Sequence, residues 1–322
     1  MNILLKGEGQ KEHGSAKESV AILLCTYNGE RFLKEQLDSI INQTYKHWKV
    51  YVSDDGSTDL TLDILEEYKL KLPPGKINIL HGPRQGFAKN FLSLVKCESI
   101  NADFFAFSDQ DDRWCADRLE RGINRLENTP AATPALYCST TRLINMAGET
   151  IGQSPGFSKA PSFQNALVQS LAGANTMLVN QSARILLSKT PDDIQIPAHD
   201  WLAYLLVSGA GGTIVFDKEP TIEYRQHDRN LIGANTGIKA KMSRLKKMFS
   251  GRFKEWNSQN IVILENARHT LSKQNLEYFN YFTTARQSGL LKRIFLTFKS
   301  GVYRQTASGS ASLWVAVILN RI

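Results

Sequence analysis

The chain has 322 residues, of which 42% are hydrophobic and 22% charged, and these ordinary values exclude a collagen, a low-complexity disordered chain and a disulfide miniprotein. Its net charge of +8 lies in the last third, because residues 239–254 hold seven Lys or Arg, residues 278–322 hold six, and neither range holds an acid. The rest of the sequence is net acidic and has no nucleic-acid-binding motif, so we expect no nucleic-acid partner.

The amino-terminal residues and the cysteines indicate the compartment. Residues 1–18 are polar, lack the apolar core of a secretory signal, and are predicted to form a flexible tail. The four cysteines have no C-x-x-C spacing and are expected to be reduced thiols. No segment offers the roughly 20 apolar residues that cross a bilayer. We therefore predict a cytoplasmic protein, with a peripheral position on the inner face of the cell membrane as an option.

Strand-like and helix-like patterns alternate after residue 19. The predicted elements in chain order are a strand at 20–25, a helix from 33, a strand at 49–53, a helix from 59, a strand at 77–80, a helix at 87–96 and a strand at 104–107. This alternation predicts an α/β fold with a mostly parallel central sheet and flanking helices, in which ligands bind at the carboxyl ends of the strands.

The pattern is looser in the second half of the chain. Further strands are predicted at 136–141, 176–179, 213–216 and 222–225, and a helix at 201–207. After about residue 237 the sequence becomes helical and basic. We predict three parts: the tail at 1–18, an α/β domain at 19–236 and a helical, basic segment at 237–322.

Three polar clusters directly follow predicted strands: Thr26-Tyr27-Asn28, Asp54-Asp55-Gly56-Ser57 and Asp109-Gln110-Asp111-Asp112. The carboxylates of the last cluster repel one another unless a cation lies among them, and Mg²⁺ or Mn²⁺ suits such hard oxygen ligands. Taken singly, the clusters are also explained as a turn, a helix-capping turn and a solvated acidic turn. Their common position at strand ends favours a ligand site.

The three clusters also carry a resemblance to a known family. Residues 25–30 (CTYNGE), 53–59 (SDDGSTD) and 108–114 (SDQDDRW) resemble, in this order and spacing, the signatures of family 2 glycosyltransferases. The last of them is similar to that of bacterial rhamnosyltransferase-like members that build surface polysaccharides. The resemblance covers about residues 19–236 and implies the GT-A fold, in which a Rossmann-like nucleotide-sugar half joins an acceptor half.

The resemblance implies roles for individual residues. The positions expected to line the nucleotide-sugar pocket are Thr26, Tyr27, Asn28, Glu30, Asp54, Asp55 and Asp109. Asp109 and Asp111 occupy the acidic positions of the family's D-x-D motif and are expected to bind Mg²⁺ or Mn²⁺, with Asp112 as an adjoining support. Gln110 is interpreted as the variable middle residue of that motif.

Two later segments complete the expected site. His199-Asp200-Trp201 resembles the family's acid-Asp-Trp motif, which implies that Asp200 is the catalytic base and that Trp201 supports the acceptor side. His199 stands where many members have Glu, and a helix-capping role for Asp200 is the alternative. In the segment 224–227 (YRQH), Arg225 is expected to pair with the diphosphate and His227 to complete the metal shell.

The basic stretch after residue 237 has an amphipathic pattern. Its apolar residues fall on one helical stripe: Ile238, Met242, Leu245, Phe249 and Trp256. A stripe with basic flanks is typical of helices that bind an anionic membrane surface. Packing of this helix on the α/β domain, with a solvated basic face, explains the pattern equally well, and both alternatives stay open.

The sequence therefore predicts an inverting, metal-dependent glycosyltransferase. The favoured donor is dTDP-L-rhamnose, a UDP-sugar is the second candidate, and the expected acceptor is a hydroxyl of a lipid-linked, growing surface polysaccharide. A nucleotidyltransferase is disfavoured because residues 26–31 contain only one glycine, where that class needs a Gly-rich basic loop. A non-catalytic nucleotide-sugar or glycan-binding protein is the remaining alternative, and the presence of Asp109, Asp111 and Asp200 argues against it.

Overall fold

The computed structural model describes residues 18–227 and 252–322. Its first half is a parallel sheet in the order β3-β2-β1-β4, formed by β1 (Val20–Thr26), β2 (Trp48–Asp54), β3 (Ile77–His81) and β4 (Phe104–Ser108). The connecting helices are α1 (Leu33–Ile41), α2 (Thr61–Lys71) and α3 (Phe87–Lys96). The predicted strand–helix alternation is confirmed here.

The two faces of β1 explain why this strand lies in the centre. All seven of its residues are buried. Ile22 and Leu24 belong to an apolar cluster on one face of the sheet, while Leu23 and Cys25 belong to a second cluster on the other face. A strand covered by helices on both faces needs such a continuous apolar run rather than an alternating one.

The sheet continues through the second half of the chain as a mixed sheet. The added strands are β5 (Arg113–Trp114), β6 (Ala135–Ile144), β7 (Thr150–Gln153), β8 (Leu178–Asn180) and β9 (Thr213–Arg225), and the full order is β3-β2-β1-β4-β8-β6-β9-β5 with β7 on β6. β8 runs antiparallel to β4 and β6, whereas β9 runs parallel to β6. The helices of this half are α4 (Arg118–Leu126), α5 (Phe163–Ala166), α6 (Gln181–Ser188) and α7 (His199–Gly209).

Two predicted boundaries in this half are wrong. The strands expected at 213–216 and 222–225 form the single strand β9, whose polar middle is accommodated by a register irregularity opposite Ser139–Thr141 of β6. The helix expected from residue 201 begins at His199 and is preceded by Ala198 at its cap position. Asp200 therefore lies inside the first turn and is not the N-cap residue.

The described part of the carboxyl-terminal segment packs on the α/β domain. It forms α8 (Arg252–Asn266), α9 (Lys273–Arg286), α10 (Leu290–Ser300) and α11 (Ala307–Ile318). Phe253, Phe279 and Leu313 are buried in the same apolar cluster as Phe163 of α5 and Leu206 of α7. The helices thus share a core with the sheet, and the proposed boundary at residue 237 lies outside the described residues.

The predicted membrane stripe can be checked at one position only. Ile238, Met242, Leu245 and Phe249 lie outside the described residues, whereas Trp256 lies on α8. There its ring meets that of Trp201 edge-on, with the centroids 6.2 Å apart, so this residue packs on the α/β domain. Among the described helices, none has the length and apolar character that a membrane crossing requires.

Candidate active site

The three polar clusters lie side by side at one edge of the sheet. β1 pairs in parallel with both β2 and β4, and the register places Thr26 opposite Asp54 and Leu24 opposite Ser108. Because parallel strands end at the same edge, the loops that follow them converge there. The nucleotide loop (residues 26–30), the second loop (54–59) and the acidic loop (109–112) therefore form one surface.

Gln110 joins the acidic loop to the nucleotide loop. Its side-chain amide accepts a hydrogen bond from the Tyr27 N–H at 2.8 Å and donates one to the Tyr27 carbonyl at 3.0 Å. A Cβ atom on Gly29 would lie 2.2 Å from the Gln110 Oε1 atom, so this contact requires glycine at position 29. The interpretation of Gln110 as a mere variable residue misses this bridge, which nothing in the local sequence signals.

Asp54 holds the second loop together. Its buried carboxylate accepts hydrogen bonds from the Thr26 hydroxyl at 2.8 Å, from the Ser57 N–H at 2.8 Å and hydroxyl at 2.6 Å, and from the Gly56 N–H at 3.1 Å. Four protein donors satisfy a carboxylate nearly completely. The role visible in the structure is therefore to shape the loop, and direct contact of Thr26 or Asp54 with a nucleotide stays a prediction.

Asp55 and Glu30 also bind backbone amides of neighbouring loops. The Asp55 carboxylate accepts from the Arg84 N–H at 2.6 Å and from the Gly86 N–H at 2.9 Å, just before α3. The Glu30 carboxylate accepts from the Leu60 N–H at 3.0 Å, just before α2. These contacts fix the backbone before α2 and α3 against the loops that hold Glu30 and Asp55. The expected contacts of both acids with a nucleotide sugar stay predictions.

Tyr27 and Asn28 differ in how much of the side chain is available. Asn28 has a positive φ of 48°, its N–H donates to the Ser57 hydroxyl at 2.9 Å, and its side-chain oxygen accepts from the Thr58 N–H at 2.9 Å. Tyr27 is 59% exposed, although its backbone is held by Gln110. A ring that is exposed on a fixed backbone can stack on a flat base without further ordering of the loop.

The acidic loop contains carboxylates in three different environments. Asp112 is fully buried and accepts from the Asn175 amide at 2.6 Å and from the Arg225 N–H at 3.2 Å. Burial, reinforced by the charges of Asp111 and Asp109, raises the pKa of Asp112 well above its usual range. Asp112 thus ties β9 to the acidic loop, and its expected role as a support of the metal site stays a prediction.

Asp109 lies half-buried near the end of β4. Burial is the main cause that raises the pKa of its carboxyl, and the charges of Asp111 and Asp200 raise it further. Asp200 is 91 positions away in the sequence, but the first turn of α7 lies near the end of β4, where the rings of His199 and Phe107 have their centroids 5.7 Å apart. An acid with a raised pKa among other acids favours the binding of a cation.

Asp111 faces the end of β9. Its Oδ2 atom lies 2.8 Å from the Nε2 atom of His227, and both side chains are largely buried. The His227 ring also stacks on Phe32, with the centroids 5.8 Å apart. The two candidate metal ligands are therefore in direct contact, and their binding of a metal stays a prediction.

Arg225 is buried beneath this pair rather than exposed. Its guanidinium lies 2.6 Å from the Glu35 carboxylate, donates to the Asp111 carbonyl at 3.1 Å, and stands over the Phe32 ring at 4.3 Å. Only 1% of the side chain is exposed. The expected contact with a diphosphate stays a prediction and requires rearrangement of these contacts. Sequence reasoning missed Glu35, which is 190 positions from its partner.

Asp200 lies in the first turn of α7. Burial raises the pKa of its carboxyl to about 6, although the hydrogen bond from the Trp201 N–H favours the ionised form. The Trp201 N–H lies 2.6 Å from the Asp200 Oδ1 atom. Trp201 itself is buried and donates from its indole to the Ala166 carbonyl at 2.6 Å, so its visible role is to hold α5 against α7.

His199 precedes Asp200 inside an aromatic cage. Its ring stacks on Phe91 with the centroids 4.1 Å apart and also meets Phe107 and Phe87. Burial lowers the pKa of His199 to about 3, so the ring is neutral. Neither ring nitrogen has a hydrogen-bond partner among residues 18–227 and 252–322. At this position His therefore acts as an apolar filler and does not replace the charge of a Glu.

The donor set suits a divalent cation that is completed by a substrate. Within the part of the chain that the structure describes, no three His, Cys, Asp or Glu side chains form a metal-binding group by themselves. Asp111 and His227 supply one carboxylate and one imidazole at contact distance. Mg²⁺ and Mn²⁺ are commonly held by one or two protein side chains together with substrate phosphates. The residues present fit such a site.

Comparison with known proteins identifies the family. Residues 21–177 match the family described as Glycosyl transferase family 2. The chain is also 34% identical over 232 residues to the dTDP-rhamnosyl transferase RfbG of Shigella flexneri, a match that covers 69% of this chain and 78% of that protein. The chain belongs to glycosyltransferase family 2. The alternative of a non-catalytic binding protein is therefore not supported.

Solved structures place this family 2 enzyme among GT-A glycosyltransferases. S. aureus TarS 1-349 in complex with UDP-GlcNAc is similar with a TM-score of 0.54 and 19% identity, over 88% of this chain and 79% of that one. The mannosyltransferase PcManGT from Pyrobaculum calidifontis, in complex with GDP-Man and Mn²⁺, is similar with a TM-score of 0.50 and 15% identity, over 95% and 86% of the two chains. The predicted GT-A fold is confirmed.

Proposed function

We propose that this glycosyltransferase moves a sugar, with inversion at the anomeric carbon, from a nucleotide-diphosphate sugar to an acceptor hydroxyl. Asp200 accepts the proton of that hydroxyl, whose oxygen then forms a bond with the anomeric carbon. The bond from that carbon to the diphosphate breaks, and the nucleoside diphosphate leaves with the electron pair. The anomeric carbon undergoes one substitution, so its configuration inverts.

The observation that carries this proposal is the position of Asp200 beside the acidic loop. The preceding residue, His199, contacts Phe107 of β4 with the ring centroids 5.7 Å apart, and the charge of Asp200 contributes to the raised pKa of Asp109, so the two carboxyl groups lie near one another. A base on one side and a diphosphate-binding loop on the other is the arrangement that a direct displacement needs. With a pKa of about 6, Asp200 is ionised at neutral pH and still basic enough to take a proton.

Asp111 and His227 are the proposed protein ligands of Mg²⁺ or Mn²⁺, with Asp109 close by. When bound, the cation supplies positive charge that stabilises the leaving diphosphate. The Asp111 Oδ2 and His227 Nε2 atoms already lie 2.8 Å apart in the structure, so both can bind the same ion. Asp112 and Arg225 position both ligands, because Asp112 binds the Arg225 N–H and Arg225 binds the Asp111 carbonyl.

The nucleoside is proposed to lie on the nucleotide loop, with the exposed Tyr27 ring against the base. The favoured donor is dTDP-L-rhamnose because the relative with 34% identity is named a dTDP-rhamnosyl transferase. A UDP-sugar is the second candidate, since the TarS complex contains UDP-GlcNAc. The proposed acceptor is a lipid-linked, growing surface polysaccharide on the cytoplasmic side of the membrane.

A panel of nucleotide sugars tests the donor. Each is added with Mg²⁺ or Mn²⁺ in a thermal-shift assay, where selective binding to the folded protein raises its melting temperature. We expect dTDP-L-rhamnose to give the largest shift. A larger shift with a UDP-sugar would replace the favoured donor by the second candidate and leave the reaction class unchanged.

Transfer assays test the mechanism. The anomeric configuration of the product is read by NMR, and retention of the donor's configuration would contradict single displacement. Asp200→Asn is compared with Asp193→Asn, which removes the same charge from an exposed carboxylate in the loop before α7. We expect the first to reduce transfer about 10²- to 10⁴-fold without loss of donor affinity, and the second to behave as wild type.

A further inference from the structure

Helix α10 (Leu290–Ser300) presents an apolar face to solvent. Leu291, Phe295 and Phe298 are 83%, 57% and 72% exposed. Their spacing of four and three residues places them on one side of the helix. A helix that packs on a core normally directs such a stripe inward. Here the stripe points away from the protein.

The buried side of α10 is polar and fixes this orientation. Arg293, Thr297 and Ser300 are 7%, 1% and 0% exposed. The Arg293 guanidinium donates to the Val317 carbonyl of α11 at 3.1 Å and to the Ser288 carbonyl at 2.9 Å. Rotation of the helix would break these contacts, so the exposed apolar stripe is a stable property of the fold.

The surroundings of the stripe are basic. Lys292 and Lys299 are exposed on α10, and residues 278–322 contain six Lys or Arg and no acid. Over 252–322 the count is ten Lys or Arg against three Glu. The contact of Arg293 with Val317 brings the carboxyl end of α11 beside α10. Three apolar side chains near that end are also about half exposed: Val315, Ile318 and Leu319.

We infer that the outward face of α10 docks on an anionic lipid bilayer. The apolar side chains of this face can contact the acyl chains of such a bilayer, while the flanking lysines contact its negative headgroups. A symmetric dimer through this face would place Lys292 and Lys299 of one copy against those of the other, which like-charge repulsion disfavours. The docking face shares no residue with the proposed catalytic site.

Vesicle sedimentation of the full chain tests the inference. Vesicles of phosphatidylethanolamine and phosphatidylglycerol are compared with neutral vesicles of phosphatidylcholine. We expect binding to the anionic vesicles that weakens at high salt, because salt screens the attraction of Lys292 and Lys299. Leu291→Gln combined with Phe298→Gln is expected to weaken binding by about tenfold or more.

The matched control is Leu70→Gln. Leu70 lies on α2, is 85% exposed, and is therefore as solvated as Leu291. We expect it to bind vesicles as wild type does. Because Leu291, Phe298 and Leu70 are all exposed, neither the double variant nor the control should unfold, and circular dichroism checks this. If the double variant lost helix content, Leu291→Gln alone would carry the comparison.

Three results would overturn the inference. One is the absence of vesicle binding by the wild type. A second is undiminished binding by the double variant, which would locate docking elsewhere, for example in residues 228–251. A third is a wild-type dimer in sedimentation velocity that Leu291→Gln disperses, which would make a second copy the occupant. Transfer to a short soluble acceptor is measured in parallel, so failure of docking and failure of the proposed catalysis are told apart.

Discussion

Replacing Asp200 by Asn should stabilise the protein at neutral pH while it abolishes efficient transfer. The Asp200 carboxyl has a pKa of about 6 in the folded protein, against an ordinary value near 3.8. Each unit of difference corresponds to about 1.4 kcal/mol. The ionised carboxylate therefore costs the folded state about 3 kcal/mol above pH 6, and an amide of nearly the same shape avoids that cost.

The sign of the pH dependence follows from the raised pKa. The folded protein binds a proton at Asp200 more readily than the unfolded chain, so the contribution of this group to stability is present at low pH. It is lost as the pH rises from about 4 through about 6, and the loss is complete at higher pH. The stability difference between Asp200→Asn and wild type should be near zero at about pH 4 and reach its plateau above about pH 7.

Denaturant unfolding across this pH range measures the difference, with Asp193→Asn as control. The control should stay within about 0.5 kcal/mol of wild type, as exposed substitutions usually do. A destabilised Asp200→Asn, or a difference that does not change with pH, would show that the carboxylate is not desolvated. Stabilisation together with normal transfer would show that it is desolvated but is not the base.

Three further predictions concern the loops. Gly29→Ala should destabilise the fold by about 1–3 kcal/mol because the added Cβ meets the Gln110 amide. The destabilisation should be smaller when Gln110→Ala is also present, and denaturant unfolding of the two single variants and the double variant measures this coupling. Asp111→Asn should weaken metal-dependent binding of the nucleoside diphosphate in calorimetry and leave free nucleoside unaffected, and unchanged binding of the diphosphate would remove Asp111 from the metal site. Arg225→Met should lower the free energy of unfolding by about 3 kcal/mol, because it removes a buried guanidinium that has several acceptors. Glu35→Gln should lower it by less than about 1 kcal/mol in the same assay, because Glu35 is half-exposed. Equal losses of stability would mean that the Arg225–Glu35 ion pair dominates.

The nucleotide half of the fold was predictable because its signals are local. The apolar run from Val20 to Cys25 is long enough to identify a strand buried on both faces, and helical spacing follows at once. The second half was less predictable because its strands are short or irregular. Arg113–Trp114 is a two-residue strand, and the polar residues 217–220 conceal the continuity of β9.

Candidate site residues could be named from the sequence, but their contacts could not. The motifs identified Asp54 and Arg225 by type and spacing, which does not show that the first is satisfied by four protein donors and the second is buried. The partners Gln110 and Glu35 were missed because each acts on a segment far along the chain. Long-range side-chain pairs leave no periodicity in the sequence around either partner.

The pairing of β5 with β9 has a consequence for the order in which the site is completed during synthesis. The acidic loop lies between β4 and β5, and β5 is held by residues 222–223 rather than by a strand close to it in the chain. Residues 114–116, at the far end of the loop, also contact Ser39, Gln43 and Thr44 of the first half, so both ends of the loop are held before β9 is made. Asp111 gains its histidine neighbour only after residue 227 has emerged. A nascent chain that already has the nucleotide loop therefore still lacks the contact between Asp111 and His227, the two proposed metal ligands, until β9 has joined the sheet.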